Sequence, residues 1–164
     1  MTFNKGERTK YLTVTYTESG NTGDTIVLGT KYLGCTTIEE VKAVDPDYLT
    51  NDIVDGVWSQ SLADLTYGNQ MFEGCSQLTS FSSDLSSMTD GNTMFNCCSN
   101  LVSFNADLSS MTSCTRMFSF CGNLSSFSSD LSSLTKGTRM FFNCFSLESF
   151  TSGLPNLTGG AFMF

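Results

Sequence analysis

The stretch MFEGCSQLTSFSSDLSSMTDGNT, residues 71–93, determines the architecture because three similar stretches follow it without a gap. They occupy residues 94–116, 117–139 and 140–162, and another Met-Phe pair begins at Met163. A fixed period of 23 residues is the signature of a repeat protein, whose units bury their apolar side only against their neighbours. The sequence therefore predicts a solenoid of four stacked coils.

Apolar residues keep the same position in every copy, counted from the Met of the Met-Phe pair. The columns are Cys75, Cys98, Cys121 and Cys144 at position 5; Leu78, Leu101, Leu124 and Leu147 at position 8; and Phe81, Phe104, Phe127 and Phe150 at position 11. Position 15 is always Leu, and position 18 is Met or Leu. Coils stacked about 4.7–4.9 Å apart turn such columns into ladders. Each buried Phe contributes about 1.5–3 kcal/mol, so the Phe and Leu ladders should dominate the stability.

The spacing Met-Phe-x-x-Cys-x-x-Leu-x-x-Phe, then Leu-x-x-Leu/Met, resembles the BspA-like leucine-rich repeat, Ala-Phe-x-x-Cys-x-x-Leu-x-x-Ile followed by further aliphatic positions. The resemblance covers residues 71–164 and extends weakly back to about residue 56. It implies a short parallel strand in each coil, near residues 78–83, 101–106, 124–129 and 147–152. Here Met replaces the family's Ala, Phe replaces its Ile, and an inward aliphatic position is small: Ser83, Ala106, Ser129 and Ser152. We expect the larger aromatic rungs to compensate.

A degenerate first repeat is predicted at residues 56–70. The 23-residue phase places Trp58 in the Phe column, Leu62 and Leu65 in the next two columns, and Gly68 over Gly91. Such divergence is typical of a terminal repeat. Within the turns that follow the Ser-Ser-Met/Leu-Thr segments, we expect positive φ at Gly91, Gly137 and Gly160.

Residues 1–55 are predicted to form an N-terminal capping segment that covers the open edge of the stack. The expected hairpin consists of a strand over Tyr11–Thr17, a turn over Glu18–Asp24 and a second strand over Thr25–Leu33. Thr37 and Glu40 have the spacing of a capping box before a helix to about Val44, ended by Asp45-Pro46. The predicted fold class is thus a leucine-rich-repeat stack of short parallel β-strands over residues 71–164, with a hairpin and short-helix cap.

The charge and composition exclude several classes of function. With 16 acidic and 8 basic residues the formal net charge is −8, which disfavours nucleic acid and anionic membranes. No run of apolar residues reaches the roughly 18 residues of a membrane span, so no membrane insertion is expected. The chain has no His and thereby lacks the usual general base and metal ligand. We expect no enzyme activity, catalytic residue or cofactor, and Lys136 gives no indication of a Ser-Lys dyad.

The seven cysteines are interpreted as packing residues. No Cys-x-x-Cys pair is present, and in the adjacent pair Cys97-Cys98 only Cys98 lies in the ladder. Free Cys behaves as a small apolar residue. We therefore expect no metal site and no disulfide framework, but reduced thiols made in a cytosol. Residues 1–16 lack the pattern of a secretory signal peptide.

The candidate binding surface is the polar face of the strands, where leucine-rich repeats usually bind. Strand alternation points two columns outward, with an acidic column at the strand ends: Ser80, Ser103, Ser126 and Ser149; Ser82, Asn105, Ser128 and Thr151; and Asp84, Asp107 and Asp130. The alternative is a surface that is merely solvated. The Asp residues either cap the following turn or collect a cation such as calcium.

Two further features bear on ligands. The strand face has no aromatic platform, so specific glycan recognition is possible but not favoured there. Arg116 and Arg139 occupy the last position of neighbouring copies, either as a solvated edge or as an anion site.

Two classes of function remain. The first is a virion-associated phage protein or bacterial-surface recognition protein, because the repeats resemble those of surface adhesins and of gut-phage proteins. The alternative is an intracellular scaffold for protein–protein interaction. Absence of an export signal, free thiols and a hydroxyl-rich surface favour a virion component that folds in the host cytosol. We also expect the apolar last rung, with Phe162 and Phe164, to be covered by another copy, another protein or further chain.

Overall fold

The computed structural model describes residues 13–18, 21–27 and 34–164. Short strands dominate the fold, and the helices lie before the repeats. The elements are β1 Thr13–Glu18, β2 Asn21–Val27, α1 Ile38–Val44, α2 Tyr48–Asn51, β3 Ile53–Val54, β4 Val57–Trp58, β5 Ser80–Phe81, β6 Ser103–Phe104, β7 Ser126–Phe127 and β8 Ser149–Phe150.

Each repeat forms one coil, and successive coils place equivalent residues side by side. Ser80 pairs with Ser103 and Ser126 pairs with Ser149, in parallel strands. The sheets run in the order β3-β4-β5-β6 and β7-β8. The strands near residues 78–83 and their equivalents are shorter than expected, two residues each. Inward residues such as Leu78 and Phe81 are three positions apart, whereas an extended strand returns to one face every two residues.

A second ladder of backbone contacts joins the coils at position 20. Parallel bridges connect Thr37, Tyr67, Asp90, Ser113, Lys136 and Gly159 in succession. Next to it, at position 19, a threonine in each coil donates its Oγ1–H to the carbonyl of the threonine one coil earlier. The Oγ1-to-oxygen distances are 3.3 Å for Thr89, 3.0 Å for Thr112, 3.0 Å for Thr135 and 3.1 Å for Thr158. Each coil is therefore fastened to its neighbour at this edge as well as at the strands.

Two interleaved phenylalanine ladders fill the core. In the ladder at position 2, Phe95 and Phe118 stack with centroids 5.4 Å apart and planes at 2°. In the ladder at position 11, Phe81 and Phe104 stack at 5.6 Å and 7°. The ladders meet edge to face, as between Phe104 and Phe118 at 4.8 Å and 74°. Both geometries are favourable for aromatic pairs, so each interior ring is held from several sides.

Replacing Phe104 with alanine is expected to lower the free energy of unfolding by roughly 3–5 kcal/mol, as truncation of a buried Phe does. Phe104 is 6% exposed and contacts Phe81, Phe95, Phe118 and Phe127. Its neighbour Ser103 is exposed, so Ser103→Ala should change stability by no more than about 0.5 kcal/mol. Denaturant midpoints of the two variants provide the comparison, and a greater loss for the serine variant would show that the inward and outward faces are assigned wrongly.

The expectation of positive φ at Gly91, Gly137 and Gly160 is wrong. The left-handed backbone falls two residues later, for example at Thr93 and Arg116, each with φ 55°. The glycines are small for a steric reason, because a Cβ at Gly91 would lie 3.2 Å from Cε of Met111, and one at Gly160 2.7 Å from Cδ2 of Leu157. The turn thus imposes strain on non-glycine residues, at about 1–3 kcal/mol each.

The hairpin differs from its prediction in its turn. Strands β1 and β2 are antiparallel and pair from Glu18↔Asn21 to Thr13↔Val27, so a turn over Glu18–Asp24 is wrong. Backbone pairing that starts at Asn21 incorporates the polar segment Asn21–Asp24 into β2, and a register shift between Tyr16 and Thr17 adjusts the alignment. Residues 28–33 of the predicted second strand, and residues 11–12 of the first, lie outside the described residues.

The predicted helix is confirmed as α1. The Oγ1 of Thr37 accepts from the backbone N–H of Glu40 at 3.4 Å, and the Glu40 carboxylate accepts from the N–H of Thr36 at 2.7 Å. The helix ends at Asp45, whose N–H donates to the carbonyl of Val41. The capping box is thus shifted by one residue. In a standard box the Glu40 carboxylate would accept from the N–H of the N-cap residue, Thr37, but here it accepts from the N–H of Thr36.

The start of the stack is packed against residues that precede the regular repeats. Strand β4 pairs with β5 in parallel through Val57↔Ser80, which puts the buried Trp58 in the Phe column as predicted. The Trp58 ring meets Phe72 edge to face at 4.9 Å, and Tyr48 of α2 contacts both rings. The Tyr48 hydroxyl donates to the carbonyl of Met71. Helix α2 and strand β3 were not anticipated, because four- and two-residue elements carry no periodicity.

Candidate functional site

The strand face is a continuous polar surface. All eleven candidate residues are exposed except Ser80, which is half-buried. The serines of position 10 stand in register through the strand pairs Ser80↔Ser103 and Ser126↔Ser149. The Phe of the next position points inward under each serine and is buried in the first three coils and partly buried at Phe150. The structure brings the eleven residues together on one face, while their role in binding stays a prediction.

The acidic column caps turns. In three successive coils a carboxylate Oδ1 accepts from a backbone N–H two residues later, each at 2.8 Å: Asp84 from Ser86, Asp107 from Ser109 and Asp130 from Ser132. The hydrogen bonds from Ser86 hold the pKa of Asp84 below its ordinary value. No group of three metal-ligating side chains occurs in the described parts of the chain. Of the two interpretations, the geometry supports capping.

Substitution at Asp107 distinguishes a cap from a cation ligand. Asp107→Asn keeps an Oδ1 acceptor and should leave stability nearly unchanged, whereas Asp107→Ala should lose about 0.5–1.5 kcal/mol, the value of one hydrogen bond. Thermal unfolding with and without added calcium measures both effects, and Ser128→Ala serves as the control on the same face. Calcium-dependent stabilisation that disappears in both Asp107 variants would contradict the capping role.

The cysteine ladder is buried at Cys75, Cys98 and Cys121 and half-buried at Cys144. Sγ of Cys98 and of Cys121 each donate to a Phe carbonyl at 3.1 Å, those of Phe72 and Phe95. Burial raises the pKa of Cys98 to about 12 and that of Cys144 to about 11. The thiolate, which is the nucleophile and metal ligand, is therefore scarce at neutral pH. None of the seven cysteines, which all lie within residues 34–164, forms a disulfide, and Cys97 is the exposed one among them.

Sequence reasoning missed two surfaces. One is a polar groove beside the position-20 ladder that includes Arg116 and Lys136. The other is a group of exposed rings toward the last coil: Phe120, Phe145, Phe162 and Phe164. The signal for the groove was the distribution of cations, because all three basic residues of the repeats, Arg116, Lys136 and Arg139, lie at positions 20–23. Phe120 and Phe145 gave no signal, since Phe is elsewhere the core residue, whereas Phe162 and Phe164 were already assigned to the apolar last rung from the sequence.

Comparison with known proteins decides the family. The family described as BspA type leucine-rich repeat region matches residues 61–163 in six copies, which is more than half of the chain. The chain belongs to the BspA-type leucine-rich repeat family. No curated protein and no solved structure matches it.

BspA-type repeats form modules that bind or support other molecules, and leucine-rich repeat modules generally mediate protein interactions. In the described part of the chain, no helix is both long enough and apolar enough to span a bilayer. The matched copies begin within the predicted degenerate repeat and include all four regular coils.

Proposed function

We propose that this protein is a non-catalytic recognition or structural module of a phage particle or a bacterial surface, and that it binds through the strand face. The observation that carries the proposal is the in-register column of hydroxyl side chains, Ser80↔Ser103 and Ser126↔Ser149. The packed core fixes the spacing of these serines. Binding therefore costs little free energy for ordering side chains or loops. Identical groups that recur in two in-register strand pairs, which belong to separate sheets, suit a target that repeats, as assembled surfaces do.

Cell fractionation tests the location. A tagged copy in the producing culture is expected in purified virions or in the envelope fraction. Recovery from the cytosol alone would contradict the proposal and favour the alternative, an intracellular protein–protein interaction scaffold. The scaffold is supported by the exposed thiol of Cys97, which suits a reducing compartment.

Substituting charged residues on the strand face tests whether this face binds the target. Ser103→Arg combined with Ser126→Arg should weaken binding to isolated envelopes or virions at least about tenfold, since bulky charges block close approach. The matched control is Ser87→Arg with Ser132→Arg, two exposed serines after the strands. Equal binding by both double variants, at equal thermal stability, would locate the interaction elsewhere.

We further propose self-association through the last coil, residues 140–162. Phe145 is 85% and Phe162 69% exposed, and Leu147, Phe150, Leu154 and Leu157 are only partly covered. Strand β8 pairs with β7 alone, and an edge strand with apolar surroundings attracts a further strand. Glu148 is the sole charged residue of this coil, so two copies meet there with little repulsion despite the net charge.

Light scattering over a range of protein concentrations measures the association. The 164-residue protein is expected to form dimers that Phe145→Asp dissociates, because each copy then brings a charge into an apolar contact. Val102→Asp, at a 50% exposed side chain in the middle of the stack, is the control and should dimerise normally. A wild-type protein that stays monomeric throughout would refute this proposal.

A further inference from the structure

A polar groove lies beside the position-20 ladder, apart from the strand face. Three successive coils line it, and its volume is about 560 Å³. The lining includes Asp90 and Asn92, Ser113 and Arg116, and Thr135 and Lys136. The groove exists because position 21 is small and buried, as at Gly91 and Cys114, which leaves a gap between the outward side chains at positions 20 and 22–23. Its size is within the usual range of ligand sites, about 300–1,000 Å³.

The groove concentrates positive charge in an acidic protein. Of the three basic residues in the repeats, Arg116 and Lys136 line it and are exposed, against the single carboxylate of Asp90. Within the described residues neither cation makes an ion pair. A guanidinium binds planar acid groups through paired hydrogen bonds, and a lysine ammonium adds a second positive charge. The groove is therefore suited to an acid group.

The rest of the lining is uncharged and polar. Oδ1 of Asn92 accepts from Oγ of Ser113 at 2.9 Å and from the backbone N–H of Thr115 at 2.7 Å. These bonds fix the Asn92 side-chain amide in one orientation before any ligand arrives. No aliphatic or aromatic residue is among the described residues that line the groove, so it offers little to a large hydrophobic ligand. The hydroxyls of Ser113, Thr112 and Thr135 already donate within the protein, so they offer a ligand acceptor oxygens. The Asn92 amide N–H groups and the Asp90 carboxylate can bind the hydroxyl groups of that ligand.

An exposed aromatic ring lies next to the groove, in a neighbouring depression that Lys42 and Gln70 also line. Tyr67 is 52% exposed and is joined to Asp90 by a parallel bridge, so it lies one coil before the groove in the position-20 column. The column continues through Ser113 to Lys136. Three coil steps of about 4.8 Å make this row roughly 14 Å long. An exposed tyrosine offers an apolar ring face with a polar tip, to which the C–H face of a sugar ring is complementary.

We propose that this groove binds an acidic oligosaccharide of about three sugar units. Arg116 and Lys136 pair with its carboxylate or sulfate, Asn92 and Asp90 bind ring hydroxyls, and Tyr67 stacks on one sugar. The site is separate from the strand face and stands independently of the function proposed above. Binding such a ligand in one register requires side chains that differ from coil to coil. The position-20 row from Tyr67 to Lys136 provides them.

Calorimetric titration of the protein with three probes tests the groove. The probes are trigalacturonate, sulfated maltotriose and neutral maltotriose. At least one acidic probe should bind, and more weakly at about 0.5 M than at 0.05 M salt, because exposed charges are screened. Arg116→Gln should weaken that binding about tenfold or more, the usual effect of losing a charged hydrogen bond. Tyr67→Ala should weaken it too, while Tyr67→Phe should bind nearly as wild type.

Arg139→Gln is the matched control. Arg139 has the same position in the next coil, but its guanidinium lies over the rings of Phe142 and Phe162, at 5.8 and 5.5 Å, and it does not line the groove. Gln already occupies this turn position at Gln70, with φ 63°, so both glutamine variants should fold, as circular dichroism will verify. Binding that Arg139→Gln weakens as much as Arg116→Gln would contradict the groove.

The remaining outcomes decide the chemical class. Preference for galacturonate or for the sulfated sugar assigns the acid group and supports the proposal. Equal binding of neutral maltotriose would overturn the role of the cations. Equal binding of a triglutamate peptide would overturn the role of the sugar, and no binding of any acidic probe at millimolar concentration would reject the site.

Discussion

The edge-to-face contact between the two phenylalanine ladders is the interaction on which the rest of the structure depends. Phe104 touches Phe95 and Phe118 of the other ladder at 5.4 and 4.8 Å, and the same arrangement recurs from coil to coil. Rings that are locked in this way cannot shift singly, because each would open a gap against several others. The packed rings therefore also fix the spacing of the outward side chains that alternate with them along the chain. The strand face, whose residues flank the position-11 rings, is thus a consequence of how the rings pack.

Polar groups of the backbone are paired by short side chains that need no charge. Threonine hydroxyls bind carbonyls of the preceding coil, cysteine thiols bind Phe carbonyls, and carboxylates cap the turns. Since buried backbone groups must find partners, a stack of short strands depends on such bonds more than a long sheet does. Only 15% of the chain is charged, and these hydrogen bonds to the backbone need few charged partners. Basic residues are left for positions where the fold does not require them.

The 23-residue period predicted the features that depend on the register of the coils. It did not predict features that depend on the conformation or contacts of single residues. The repeat, the inward columns, the Trp58 alignment and helix α1 all follow from patterns that the structure reproduces. The glycines were misinterpreted because glycine occurs both where the backbone needs positive φ and where a side chain would not fit. The sequence alone does not distinguish these two reasons at Gly91, which lies beside Met111. Strand length was overestimated because the family resemblance implied a strand from the Leu to just past the Phe of each repeat, whereas only two residues of each coil form a strand. The groove was missed because its lining residues, such as Asp90, Arg116 and Lys136, come from three different repeats and are brought together only when the coils are stacked.

The two surfaces differ in how their columns vary, and this difference bears on what each can recognise. Position 10 is serine in all four regular coils, whereas position 20 runs Tyr67, Asp90, Ser113, Lys136 and Gly159. A uniform column offers the same contact in every coil. A ligand that spans more coils therefore binds more tightly, but no single register along the column is preferred. A varied column fixes one register, because a misplaced ligand would put its acid group beside Asp90 instead of Lys136 and leave charges unpaired. Neither column has to be constant for the core to pack. The strand face is thus suited to repeating targets, and the groove to a single ligand in a defined orientation.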